Sequence, residues 1–224
     1  MKFCSHYLWE KGQGILYNPV SVVLQQAEYE KRQILFACVC DSVLEGAEGV
    51  AESGYFSERL TEWFHKRYLK RFVKNKESEE ALGDLHRERE LILQELVRSH
   101  EKKRQESGLH FCVVLIQDNR FIMMRKGLCH IFILNRRYNT RQIKRWEQFD
   151  DKGLCQGKIQ RNLGLLLSTN SFGEKLTKKD YKEALFMDKK AEDWRLQKRL
   201  AEVWQDMTGL EKTESVGAVY IRTY

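Results

Sequence analysis

The apolar positions along the chain change period several times, and each change marks an element. Gln33 to Cys40 (QILFACVC) is a nearly continuous apolar run. A run of that length, rich in aliphatic and small residues, predicts a strand buried on both faces. It ends at Asp41. Ser21 to Gln26, just before it, is also rich in strand formers. The segment DSVLEGAEG reads as a Gly/Glu-rich connection. Beyond it, Phe56, Leu60, Trp63, Phe64 and Phe72 recur at helical spacing with charges between them. That pattern predicts an amphipathic helix, with Ser57 placed to help cap its start. After the charged turn KNKESEE, a second helix is expected over about Glu79 to Lys103, with Leu85, Ile92, Leu96 and Val97 as its stripe. Its other positions are almost wholly Glu, Arg and Lys, as on a solvated outer face laced with i,i+4 pairs.

Three strand-like segments follow: Leu109 to Gln117, Arg120 to Arg125 and Leu128 to Leu134. Asp118-Asn119 and Lys126-Gly127 are the turns between them, and the three read as an antiparallel meander. Asn135 to Asn162 is polar and shows no clear period. Leu163 to Thr169 (LGLLLST) is another buried strand, opening into a loop at Asn170 to Gly173. Thr177 starts a short helix through Tyr181, Ala184 and Leu185. A last amphipathic helix, about Lys190 to Met207, carries Trp194, Leu200, Trp204 and Met207 on one face. Val216 to Arg222 closes the chain as a strand. Helices grouped in pairs against antiparallel strands imply a layered α+β sandwich rather than a doubly wound parallel sheet. The chain holds one proline, Pro19, and no Pro/Gly/Ser-rich linker, so a single domain over residues 1–224 is expected.

Composition narrows the function classes. The net charge of +7 permits an acidic partner, but 32 acidic residues are interleaved with 39 basic ones. A mixed-charge surface is therefore favoured over a nucleic-acid face, which would need its basic residues clustered with aromatics between them. Met1 to Tyr7 is too short and polar for a signal peptide, and no apolar run approaches the ~20 residues that span a bilayer. Cys4, Cys38, Cys40, Cys112, Cys129 and Cys155 sit mostly in apolar runs, where a thiol acts as a small hydrophobe. Free thiols in a reducing cytoplasm are expected. No CxxC or HxxxH spacing supports zinc, and no GxSxG, P-loop or GxGxxG string supports the other common catalytic frames.

Four strings in order do carry a pattern. ILFACVCDSVLEGAEGV resembles the buried strand followed by DGMGGHxxGE of the PP2C-like metal-dependent serine/threonine phosphatases. Asp41 and Gly49 match; Ser42, Leu44, Glu45 and Gly46 replace two glycines, a third and the histidine. CVVLIQDNRFIMMRKGLCHIFILNR resembles the family's hairpin ending in GDSR. Gly127 matches, and Leu128, Cys129 and His130 stand for Asp, Ser and Arg. LGLLLSTNSFGEKLTKKDYKEAL resembles the strand running into SDGLxD and its helix; Ser168 matches, with Thr169 at the metal-binding aspartate and Asn170 at the glycine. Glu214-Ser215 occupies the place of the DN before the last strand, and the NED acids near the start fall on Asn18, Pro19 and Val20. The resemblance runs from about Gly14 to Arg222.

It implies a PP2C-like four-layer α/β/β/α sandwich of two mainly antiparallel sheets flanked by helix pairs. In the family, two divalent metals activate a bridging water, and such a pair needs several hard oxygen ligands. By resemblance, Asp41 is the bridging carboxylate, the carbonyl of Ser42 a further ligand and Glu214 the substitute at the fourth position. One or two carboxylates do not neutralise two dications. The expectation is a pseudophosphatase that binds a protein or a phosphorylated segment, with no cofactor. Should activity remain, it would be Mn²⁺- or Mg²⁺-dependent, at a single weak site of Asp41, Ser42 and Glu214. A basic nucleic-acid-binding module ranks last.

Overall fold

A computed structural model of the protein describes residues 2–73, 81–99, 108–137, 140–178, 185, 193–208 and 214–224. Among the described residues, ten strands form two five-stranded sheets. The first sheet runs β1 (Phe3–Glu10), β10 (Val216–Thr223), β9 (Leu163–Ser168), β6 (His130–Arg137) and β7 (Thr140–Arg145). The second runs β2 (Val20–Tyr29), β3 (Arg32–Ser42), β4 (Leu109–Gln117), β5 (Arg120–Lys126) and β8 (Leu154–Lys158). Every described pairing is antiparallel.

β3 sits inside its sheet and has apolar side chains on both faces. Ile34 to Cys40 are each 0% exposed. Leu35, Ala37 and Val39 face the first sheet, where Ile131, Leu165, Leu167, Val219 and Ile221 close the core between sheets. Phe36, Cys38 and Cys40 face the helices and meet Phe56, Leu60, Phe64, Ile92 and Phe111. The continuous run in the sequence is thus two interleaved period-2 stripes.

The helices depart from the sequence expectation at their ends. α1 spans Gly46–Trp63, so the Gly/Glu-rich segment already supplies its first turn. Ser57 is not a cap: it is buried in mid-helix, 3.1 Å from Cys40 Sγ. A π-helical turn, Phe64–Tyr68, leads into α2, Leu69–Val73. It keeps Phe64 and Tyr68 stacked inward, with Phe64 4.9 Å from Phe36. α3 spans Ala81–Ser99. Its charged residues are not all solvated. Glu88 is buried and receives Arg67 at 3.0 Å, and Arg89 is buried and donates to the carbonyl of Lys152 at 2.6 Å.

The expected meander breaks after β5. β6 leaves for the other sheet, where it pairs with β7 and β9. Local turn chemistry could not reveal this, because a turn such as Lys126-Gly127 serves a hairpin and a sheet-to-sheet crossing alike. The aperiodic stretch also contains β7 and β8, and β1 was not foreseen at all. α4 spans Asn170–Lys178, so Asn170 to Gly173 is its first turn rather than a loop, and Thr177 lies near its end rather than its start. α5 spans Asp193–Thr208, with Leu200, Val203 and Trp204 buried against Phe172, Tyr220 and the near face of the first sheet. Tyr181 and Ala184, and the side chains of Val97, Thr177, Trp194 and Met207, lie outside the described residues.

The β2–β3 hairpin turns on Glu30 and Lys31 with φ of +49° and +65°, a left-handed pair that ordinary side chains adopt at a cost. Replacing them by Glu30→Asn and Lys31→Gly together should stabilise the protein by about 1 kcal/mol. Urea denaturation of both forms reads the shift in midpoint.

Candidate functional site

The loops that would carry a PP2C-like metal centre converge at one end of the sandwich. Asp41 pairs in register with Val20 on one side and His110 on the other. By strand alternation it follows Val39 on the face turned to the first sheet. Across the gap, Gly217 comes so close that a Cβ there would lie 2.7 Å from methyls of both Val20 and Val22. Gly217 in turn exchanges bonds with Thr169: the Thr169 N–H donates to the Gly217 carbonyl at 2.9 Å, and the Gly217 N–H donates to Thr169 Oγ1 at 3.3 Å. Asp41, Val20 and Thr169 therefore occupy one mouth, as the spacing of the motifs implies.

Their chemistry differs from residue to residue. Asp41 is half-buried, and burial alone pushes its carboxyl up to about 6. A neighbouring cation would have pulled it the other way. Its charge also reaches the buried Cys129 thiol, which is raised chiefly by its own burial and then by Cys112 and Asp41. Thr169 is fully buried, with its hydroxyl engaged by Gly217 and Ser171. Val20 is buried and apolar, and Leu128 is exposed.

Ser42 turns its side chain the other way, toward α1. Its hydroxyl donates to the carboxylate of Glu52 and accepts the Leu44 N–H at 3.1 Å. Glu214 lies at the surface and pairs with Lys175 of α4 at 3.1 Å. His130 lies beneath α4, with Nε2 3.1 Å from Asn170 Oδ1. Its pKa is lowered, first by burial and then by Arg145. Among the described residues, no group of three or more His, Cys, Asp or Glu is arranged to hold a metal. The donor set does not fit a two-metal centre: one half-buried carboxylate, an engaged hydroxyl, a valine, a leucine and an exposed glutamate already held by a lysine.

One residue, Glu52, has no place in the sequence reading, and His110 enters it only as a core neighbour of Cys112. Glu52 is 1% exposed and anchors the Ser42 turn, with its second oxygen unpartnered. The signal was present, since Glu52, Phe56 and Leu60 are spaced by four, but the helix was expected to begin only at Phe56. His110, the cross-strand neighbour of Asp41, packs its ring under Gly127, where a Cβ would lie 2.3 Å from His110 Cδ2. All six cysteines are free. No described helix is long and apolar enough to cross a membrane.

This arrangement of two antiparallel sheets and flanking helices is the PP2C-like α+β sandwich. No protein-family model and no curated protein matches the chain by sequence. Solved structures do match over its whole length. The catalytic domain of the serine/threonine phosphatase PstP, in complex with two manganese ions, superposes with a TM-score of 0.70 at 13% identity, covering 98% of this chain and 97% of that one. A bacterial serine phosphatase gives 0.71 at 13% identity over 100% and 99% of the two chains. PppA of Pseudomonas aeruginosa, a regulatory component of its T6SS, gives 0.65 at 11% over 100% and 99%. At these identities the likeness establishes the fold.

Two outcomes follow for this site. The folded pKa of Asp41, about 6, lies above its unfolded value, so charging it costs more in the folded state. That stability is whole below about pH 4 and is lost as pH rises through about 6. Asp41→Asn should therefore be more stable than wild type by about 1–2 kcal/mol at pH 8, with the difference vanishing near pH 4. Denaturation midpoints across that range measure it. At Gly49, an added Cβ would lie 2.1 Å from the Leu44 carbonyl oxygen. Gly49→Ala should cost about 2–4 kcal/mol, read as a fall in the thermal midpoint.

Proposed function

We propose that this chain is a PP2C-like pseudophosphatase, a cytoplasmic signalling protein that acts by binding a protein partner or a phosphorylated segment of one. The observation that carries the reading is the composition of the mouth around Asp41. Val20, Leu128 and Thr169 stand where the resemblance would put acids, and Glu214 is bound to Lys175. Two dications a few ångströms apart need several carboxylates to offset their repulsion. Asp41 alone cannot supply that charge.

PppA, a structural neighbour, is a regulatory component of the T6SS, and a signalling role for this chain follows from it only by analogy. The mixed-charge surface and the acids beside its basic residues give no support to nucleic-acid binding. Six free thiols agree with a reducing compartment.

Purified protein supplied with Mn²⁺ and an aryl phosphate should show no turnover above a buffer blank, and calorimetry should show no saturable Mn²⁺ binding at millimolar metal. Turnover that disappears in Asp41→Asn would sink the proposal and restore a metal-dependent phosphatase.

A further inference from the structure

The sheet that carries Asp41 ends at β2, whose only described strand partner is β3. β2, VSVVLQQAEY, opens on β-forming residues; its one charged residue is Glu28, near its end, and it contains no Lys, Arg or Pro. Those are the residues that commonly blunt an exposed edge. Hydrogen bonds at its start settle which groups face outward. The Val20 N–H donates to Asn18 Oδ1 at 3.0 Å, and the Val20 carbonyl accepts from Trp9 Nε1 at 2.9 Å. Both therefore point away from β3. In an antiparallel ladder that orientation returns at every second residue. The N–H and C=O groups of Val22, Leu24, Gln26 and Glu28 thus face outward, and among the described residues no strand pairs with them.

A cleft of about 690 Å³ lies beside this edge, between β2 and α1. Val23 forms part of its strand wall, and Tyr55, Glu58, Arg59 and Glu62 form much of its helix wall. The charge there opposes that of the chain as a whole. Arg59 lies within 4.0 Å of three carboxylates, Glu62, Glu88 and Glu95. Lys66 pairs with Glu62 and Arg67 with Glu88. Of the residues that line the cleft, Glu58 and Glu62 are acidic and Arg59 is basic, on a protein whose net charge is +7. On the opposite face of β2, the half-buried Val22 and Leu24 border the core between the sheets.

We infer that β2 is a docking edge for an extended segment of a protein partner, which adds to the sheet as a further strand. Its outward main chain supplies the hydrogen bonds, and its two faces set the side-chain preference. The added strand alternates basic residues toward α1 with apolar residues toward Val22 and Leu24. A second copy of this chain fits less well. Two-fold pairing of β2 with itself would bring both acidic α1 walls to the same face of the joined sheet. The inference is independent of the phosphatase reading: Mn²⁺-dependent turnover would overturn that reading and leave this edge untouched.

The probe is a blocked ten-residue peptide alternating Lys and Val, with a Glu/Val peptide as its counterpart. The Lys/Val peptide should bind saturably and slow amide exchange at Val22, Leu24 and Gln26, while the Glu/Val peptide should not. Gln26→Pro removes one outward donor without touching the β3 ladder and should weaken binding at least tenfold. Glu58→Lys, which leaves the strand intact, should do the same. Binding unchanged in both variants, equal binding of both peptides, or binding of neither would overturn the inference. Concentration-dependent dimerisation abolished by Gln26→Pro would overturn the choice of occupant in favour of a second copy.

Discussion

Everything at the candidate site is positioned by the burial of β3 on both faces. Its odd residues close the core between the sheets, and its even residues close the core beneath α1 and α3. Each large aliphatic or aromatic side chain so buried contributes about 1.5–3 kcal/mol. A one-residue slip would exchange the two stripes and set Phe36 where Ala37 now permits the close approach of the first sheet. The register is therefore held hard from both sides. Because it is held, Asp41 must emerge at the mouth between the sheets, and Ser42 must turn back toward Glu52. The direction of each candidate ligand on β3 is a consequence of this packing.

This dependence explains how much of the molecule could be read from the sequence. β3, β4, β9 and β10 were legible because double burial leaves long apolar runs. The motif spacings that link Asp41, Gly127, Ser168 and Glu214 were legible too, since the layers fix the length of each connection. The elements that escaped lack those constraints. β1, β7 and β8 are sheet-edge strands, and exposed positions such as Tyr7 and Trp9 in β1 and Gln156 and Lys158 in β8 interrupt their apolar pattern. The first turns of α1 and α4 read as loops because they hold glycines: Gly46 with its φ of +66°, and Gly49 and Gly173 at close packing contacts. Gly173 lets α4 lie on His130, where a Cβ would come within 2.1 Å. The passage of β6 to the other sheet has no local signature, because it depends on which edge is free rather than on the turn itself.

At the site, side-chain identity was legible and side-chain engagement was not. Ser42 could be seen as a serine in a glycine position; that its hydroxyl faces away from the mouth follows only from alternation along β3. Glu214 could be seen as an acid in the right slot; Lys175, its partner, lies far from it in sequence. Glu52 was hidden by a helix boundary placed too late. Charged pairs between distant segments leave no periodic trace.

The residues that resemble the PP2C-like motifs divide by physical role. Gly49 and Gly127 remain, and both are places where a side chain would collide with its neighbours, the Leu44 carbonyl in one case and His110 in the other. Among the positions that differ are Val20, Leu128 and Thr169, where the resemblance would put acids. Carboxylates gathered at a half-buried mouth repel one another unless metals lie between them. Valine at position 20 and threonine at 169 remove that repulsion and add contacts of their own: Val20 packs on Gly217, and Thr169 bonds its main chain. Asp41 is the acid that stays, and burial pushes its carboxyl up to about 6. Contacts of Val20 and Thr169 thus fill the mouth at positions where the resemblance would put acids.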